Sequence, residues 1–289
     1  MFILCYEVPL NKVDEIIEQL QLKDIYDVFY ESPIEITTNE NGYDYIVKEE
    51  ELTTLKVAFT GEFEELKAFN NIIQPVIGTK CFNIYEEEET NYDDFYIPAI
   101  DIDENWVLAS PDDDVDNNKN RINFISQGAF GTGLHETTQD LLRIILSKDF
   151  TNKKVLDIGT GSGILSIATA IKNASQVTAL DIRDVKDEVE LNASLNNLTN
   201  IKVVVGDVLT NEVSINDKFD WIYINIGGEE TELFMDFIKE HLTTNGLLLV
   251  SGLVEWSFDK IKNMVESKGF NMIEKHQSNE WCTAIFAQK

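Results

Sequence analysis

The chain has 289 residues, of which 43% are hydrophobic, and it carries 52 acidic against 23 basic side chains for a formal net charge of −29. This length accommodates two domains, and the apolar fraction excludes a disordered chain. The charge excludes a surface built to hold duplex nucleic acid, leaving plain solubility or a basic protein partner as the use of the acidic excess.

No apolar run approaches the ~20 residues of a membrane span. The start, Met1 to Glu7, lacks the basic region and the length of a signal peptide. Cys5, Cys81 and Cys282 are isolated and lack metal-ligand spacing. They are expected to be reduced packing residues of a cytoplasmic protein, with no metal site. The acidic clusters Glu86 to Glu89 and Asp112 to Asp114 are expected in solvated loops.

In chain order, Phe2 to Val8 predicts a strand. Val13, Ile16, Ile17 and Leu20 then fall at helical spacing behind Asn11, a residue type suited to capping. Ile25 to Tyr30, Tyr43 to Val47 and Leu55 to Phe59 predict extended segments. Phe63, Leu66, Phe69 and Ile73 predict a second amphipathic helix, and Cys81 to Tyr85 a last strand. The order β-α-β-β-α-β, with one extra strand, is that of a ferredoxin-like α+β domain over residues 1–89. Tyr6, Phe29 and Tyr30 are expected to pack in a core or interface. Residues 90–125 predict a linker and an edge hairpin.

From 126 to 289 the pattern becomes a longer α/β alternation. Helices are expected at Glu136 to Ser147, Ile164 to Lys172, Val185 to Asn197, Glu229 to His241 and Trp256 to Ser267. Strands are expected at Lys154 to Ile158, Gln176 to Asp181, Ile201 to Gly206, Phe219 to Asn225 and Leu247 to Ser251. Phe270 to His276 and Trp281 to Ala287 predict a terminal antiparallel hairpin. The expected fold class is therefore α/β, a Rossmann-like sheet domain behind a small α+β domain.

The chemistry concentrates at Asp157-Ile158-Gly159-Thr160-Gly161-Ser162-Gly163, a strand-to-helix glycine turn, followed by Asp181 at the end of the next strand. A dinucleotide site uses G-x-G-x-x-G and would place its third glycine at position 164, which is Ile. G-x-G-x-G with a following acidic residue suits S-adenosylmethionine, which has a ribose and no pyrophosphate. Backbone N–H groups near Gly161 suit its carboxylate, and Asp181 can accept both ribose hydroxyls. Asp207, after the third strand, is a candidate for the adenine. Asn225, ending the fourth strand, is the candidate catalytic residue, because an amide there can orient the lone pair of an incoming amine. Gln127-Gly128-Ala129-Phe130-Gly131-Thr132-Gly133-Leu134-His135 is glycine-rich but lacks the lysine of a phosphate loop, and His135 is expected to be a hydrogen-bonding anchor.

This loop, the glycine turn, Asp181, Asn225-Ile226, Ser251-Gly252-Leu253 and Glu280-Trp281-Cys282 together resemble the PrmA family, methyltransferases of large-subunit ribosomal protein eleven. The resemblance covers roughly 120 to 289. It implies that Phe130 and Thr132 line the cofactor site, that Thr138 binds S-adenosylmethionine, and that Gly159 and Gly161 form its floor. It also implies that Asp181 holds the ribose, and that Asn225 faces the methyl group and the substrate amine. The implied reaction is methylation of lysine and N-terminal amines, with the small N-terminal domain gripping the ribosomal protein. The chain departs from the family at Glu136, usually Pro, at Ile182-Arg183-Asp184, and at Gly227-Gly228, usually Leu-Ala, which is expected to loosen the wall beside the methyl site. The alternatives are the same fold acting on another protein or a small amine, and a non-catalytic cofactor-binding protein.

Overall fold

Apolar side chains recurring on one face of each predicted helix, and continuous apolar runs in the later strands, determine how the chain packs. The computed structural model describes residues 1–40, 42–48, 50–87 and 97–289. The chain forms two units, the first drawn from Met1–Asn39 and the segment beginning at Tyr43, the second containing Ile97–Lys289.

The first unit holds β1 (Phe2–Pro9), α1 (Val13–Gln21), β2 (Val28–Tyr30), β3 (Ile34–Thr38), β4 (Tyr43–Val47), β5 (Leu52–Phe59), α2 (Leu66–Ile77) and β6 (Cys81–Glu86). Four strands make an antiparallel sheet in the order β2-β5-β1-β6. Leu4, Tyr6 and Val8 of β1 alternate onto one face and pack with Ile16 and Leu20 of α1 and Ile73 and Ile77 of α2. Tyr6 is fully buried and donates its hydroxyl to Asn70 Oδ1 at 2.5 Å. The segment between β2 and β5 supplies a separate two-stranded ribbon, β3-β4, rather than one extra strand. Asn11 lies in a short 3-10 turn, Leu10–Lys12, and α1 begins after Lys12 with no side-chain cap.

The second unit opens with β7 (Ile100–Asp101), β8 (Trp106–Ala109) and β9 (Asn120–Asn123). Where composition suggested a linker with an edge hairpin, these strands form a three-stranded sheet. β7 runs antiparallel and β9 parallel to β8. The expectation for 88–96, including the end of the Glu86 to Glu89 cluster, lies outside the described residues.

The large sheet follows: α3 (Glu136–Ser147), β10 (Lys154–Ile158), α4 (Ile164–Ile171), β11 (Gln176–Asp181), α5 (Lys186–Leu195), β12 (Ile201–Val205), β13 (Phe219–Asn225), α6 (Gly228–His241), β14 (Leu242–Val254), α7 (Glu255–Ser267), β15 (Phe270–Ser278) and β16 (Trp281–Gln288). Its order is β12-β11-β10-β13-β14-β16-β15. The first five strands are parallel, and β16 and β15 are antiparallel to their neighbours. The order reverses between β10 and β13, the switch point at which open α/β sheets bind ligands beyond the carboxyl ends of their strands. Two cores, one on each face, hold the sheet. Both faces are covered, which is why these strands are continuous apolar runs rather than alternating ones. The fold is Rossmann-like α/β.

Candidate functional site

β10 delivers the glycine turn to the switch point. The turn is fixed against β11 because the N–H groups of Gly159 and Thr160 both donate to the Leu180 carbonyl, at 2.9 and 3.0 Å. Gly161 has φ +54°, and a Cβ there would stand 2.4 Å from the Phe130 carbonyl oxygen. A Cβ at Gly159, φ +67°, would strike Ile226 at 2.6 Å. Glycine is thus required by backbone conformation and by close approach together.

Beneath the turn, the buried carboxylate of Asp157 accepts the hydroxyls of Thr160 and Ser166, each at 2.7 Å. Burial pushes its pKa up to about 6. The two hydroxyls pull against that shift, and the charge of Asp181 adds to it. Tyr223, fully buried on β13, is raised well above its ordinary value by the same desolvation.

Asp181 ends β11, and its side chain is buried. One carboxylate oxygen accepts the Gly161 N–H at 2.9 Å and the other accepts the Arg183 N–H at 3.0 Å. A carboxylate offers about four acceptor positions, so each oxygen retains capacity. Asn225 ends β13, opposite Ser251 of β14. Gly252, φ +74°, lets the β14 backbone pass close by, and a Cβ there would be 3.4 Å from Asn225 Oδ1. The Asn225 amide makes no hydrogen bond to another described residue.

The glycine turn, Asp181 and Asn225 line one cavity of about 500 Å³, within the size range of small-molecule sites. It brings together Phe130, Gly159, Gly161, Asp181, Asp207 and Asn225 of the candidates named from sequence, and adds Glu230 and Arg183. Thr132 and Thr138 do not line it. Thr132 faces a small separate recess with Ile100 and Leu108. Thr138 sits in the first turn of α3, with its hydroxyl buried and without a hydrogen-bond partner among the described residues. His135 caps α3, its Nδ1 accepting the Thr137 N–H at 3.3 Å, and its ring packs edge-on against Trp281. Gly227 and Gly228 do not line the cavity themselves, though a Cβ at Gly227 would stand 2.7 Å from Oε2 of Glu230, which does. A Cβ at Gly228 would meet Ile261 of α7 at 2.8 Å, so this glycine lets α6 sit tightly on its neighbour.

Sequence reasoning missed a row of polar side chains along α5 and at its C-terminal cap. Glu188 and Asn192 of α5, with Asn196 capping its end, bond the backbone of 123–129, which leads into Phe130. Their four-residue spacing was the available signal, since buried polar groups on one helix face need partners. Among the described residues no group of three or more His, Cys, Asp or Glu is placed to hold a metal, and no helix is long and apolar enough to cross a membrane.

Comparison with known proteins adds relatives to this geometry. The chain is 40% identical over 164 residues to a ribosomal protein L11 methyltransferase of Fusobacterium nucleatum, covering 56% of this chain and 52% of that one. In this match the chain thus spans about half of that relative's length. It is 28% identical over 272 residues to one of Staphylococcus haemolyticus, covering 86% and 84%. The crystal structure of a ribosomal protein L11 methylase from Lactobacillus delbrueckii subsp. bulgaricus superposes with a TM-score of 0.58 at 27% identity, covering 67% of this chain and all of that one. The family model described as ribosomal protein L11 methyltransferase (PrmA) matches residues 11–289. Since that match takes in both units and the whole cavity, the chain belongs to the PrmA family.

Proposed function

We propose that this chain is an S-adenosylmethionine-dependent methyltransferase that modifies lysine side chains and the N-terminal amine of ribosomal protein L11. The observation that carries the proposal is the meeting of Gly159, Gly161, Asp181 and Asn225 in one cavity at the switch point of the sheet. Family membership supports ribosomal protein L11 as the substrate.

The residues suit this cofactor. The floor is bare backbone where a Cβ would intrude. Asp181 has acceptor capacity left for vicinal hydroxyls, and Asp207 lies beside it. Three carboxylates, Asp181, Asp207 and Glu230, against the single Arg183 favour a cationic guest. Phe130 adds an aromatic wall, and the buried, unpartnered hydroxyl of Thr138 is a further candidate donor. When bound, the sulfonium supplies an electrophilic methyl group.

The chain's own contribution is then positioning. A lysine amine, with an ordinary pKa of ~10.4, must lose a proton before it attacks. Once the carboxylates are matched by the cationic cofactor, the apolar side chains of Ile158, Ile226 and Phe234, together with its positive charge, disfavour the ammonium form. Asn225 Oδ1 accepts an N–H of the neutral amine and turns its lone pair inward. An amide is too weak a base to take that proton, so Asn225 orients rather than deprotonates.

The first unit, with strand order β2-β5-β1-β6, is proposed as a ferredoxin-like domain over 1–89 that grips the basic protein. The catalytic domain is proposed to be the second unit, which contains Ile97–Lys289 and which the antiparallel pair β15-β16 completes. The acidic surface speeds encounter with a basic partner, and the setting is cytoplasmic. Calorimetric titration with S-adenosylhomocysteine, paired with transfer of labelled methyl to purified L11, tests the proposal. Binding with transfer is expected, whereas absence of both removes it.

A further inference from the structure

We infer that Glu188 is a positioning residue that sets Phe130, and with it the affinity for S-adenosylmethionine; this rests on the function proposed above. Two structural repeats match in length. Two residues of extended chain advance ~6.7 Å, and four residues of α-helix advance ~6 Å. Side chains four apart on a helix can therefore meet alternate residues of an extended strap laid along it.

The structure contains this match. Asn196 Oδ1 accepts the Asn123 N–H at 2.9 Å and its Nδ2 donates to the Asn123 carbonyl at 2.7 Å. One turn earlier, Asn192 repeats both bonds with Ile125, at 2.9 and 3.1 Å. Each amide thus acts as a neighbouring strand would. At the third position the pattern changes from amide to carboxylate, and the bonding changes with it. Glu188 Oε1 accepts the Gln127 N–H at 3.0 Å, and Oε2 accepts the Ala129 N–H at 3.2 Å.

The change falls where the strap turns. Gly128 has φ +104°, which takes the chain out of the extended run. The N–H groups on either side of it converge on the buried Glu188 carboxylate, which has two acceptor oxygens and no donor. The next residue is Phe130, whose side chain lines the cavity and whose carbonyl accepts the Ser162 N–H at 3.0 Å. Glu188 is therefore the last fixed point before the aromatic wall, while Asn196 fixes the far end of the same strap.

The test compares the two ends. In Glu188→Gln one oxygen is kept, but the other N–H group faces an NH₂ donor and loses its partner. The dissociation constant for S-adenosylhomocysteine and the KM for S-adenosylmethionine should both rise about tenfold. The kcat at saturating cofactor and L11 should stay within about twofold. Asn196→Ala should lower the melting temperature by at least as much as Glu188→Gln does, with the dissociation constant within about twofold of wild type. Two results overturn the inference: unchanged affinity in Glu188→Gln, or an equal loss of affinity in Asn196→Ala, which would make the strap merely structural. A wild-type chain that binds no S-adenosylhomocysteine would remove the functional proposal itself. A flat Glu188→Gln on a wild type that binds removes this inference alone.

Discussion

Substituting Gly161 by Ala separates strain in the fold from obstruction of the site. The residue has φ +54°, and placing an L side chain in that region costs about 1–2 kcal/mol. This cost falls on the folded state whether or not cofactor is present. At about 2–4 °C per kcal/mol for a domain of this size, the melting temperature should fall by roughly 2–8 °C. The second effect comes from the new Cβ, 2.4 Å from the Phe130 oxygen. The turn itself cannot retreat, since Gly159 and Thr160 are tied to Leu180. Phe130 must therefore move outward, stretching its bond from Ser162 N–H. Binding that needs Phe130 in place must restore the overlap, at the cost of about 1–3 kcal/mol typical of overpacking. That corresponds to roughly 5- to 150-fold weaker binding of S-adenosylhomocysteine. Calorimetry and a thermal melt on the same preparation give both numbers. A variant that melts lower yet binds within about twofold of wild type would refute the role given to Phe130.

Asn225→Ala should cut the rate of methyl transfer by about 100-fold or more, as loss of a positioned group does. The same variant should bind S-adenosylhomocysteine within a few-fold of wild type; a rate within about threefold would rule out its orienting role. Asp181→Ala should raise the cofactor dissociation constant by about 10- to 100-fold, the loss expected for hydrogen bonds to a charged acceptor, and an unaltered constant would count against ribose binding. Asp157 gives a pH dependence with a definite sign. Its folded pKa, about 6, lies above the ordinary value of 3.8, so the folded state binds the proton more tightly and stability falls as pH rises from about 4 to about 6. The full difference is worth about 3 kcal/mol at 1.36 kcal/mol per pH unit. Asp157→Asn should flatten that part of the stability profile, as denaturant melts across the window would show; an unchanged slope would mean that another group is responsible.

The parallel strands of the second unit were legible because strands buried on both faces must be apolar throughout. Lys154–Ile158, Gln176–Asp181 and Phe219–Asn225 form as expected, and they carry the cavity. The sheet at 100–123 was not legible. Its strands are two to four residues long, and β9 is Asn-Arg-Ile-Asn, whose pairing with β8 is set by tertiary context. Asn11 failed as a cap because a 3-10 turn precedes α1. The cavity floor and Asp181 were legible from glycine spacing, since backbone approach and ligand geometry dictate residue type there. The α5 row was not, because a polar helix face is ordinarily solvated, and only packing reveals that Asn192 is fully buried. Gly228 shows the converse: a missing side chain suggested slack where Ile261 fills the space.

The most direct measurement of the central claim is the intact mass of purified ribosomal protein L11 after incubation with the chain and S-adenosylmethionine. Mass gains in steps of one methyl group are expected, mapping to lysine and N-terminal amines and accumulating at least about 100-fold more slowly with Asn225→Ala. An unchanged mass, with cofactor bound by calorimetry, would contradict that claim.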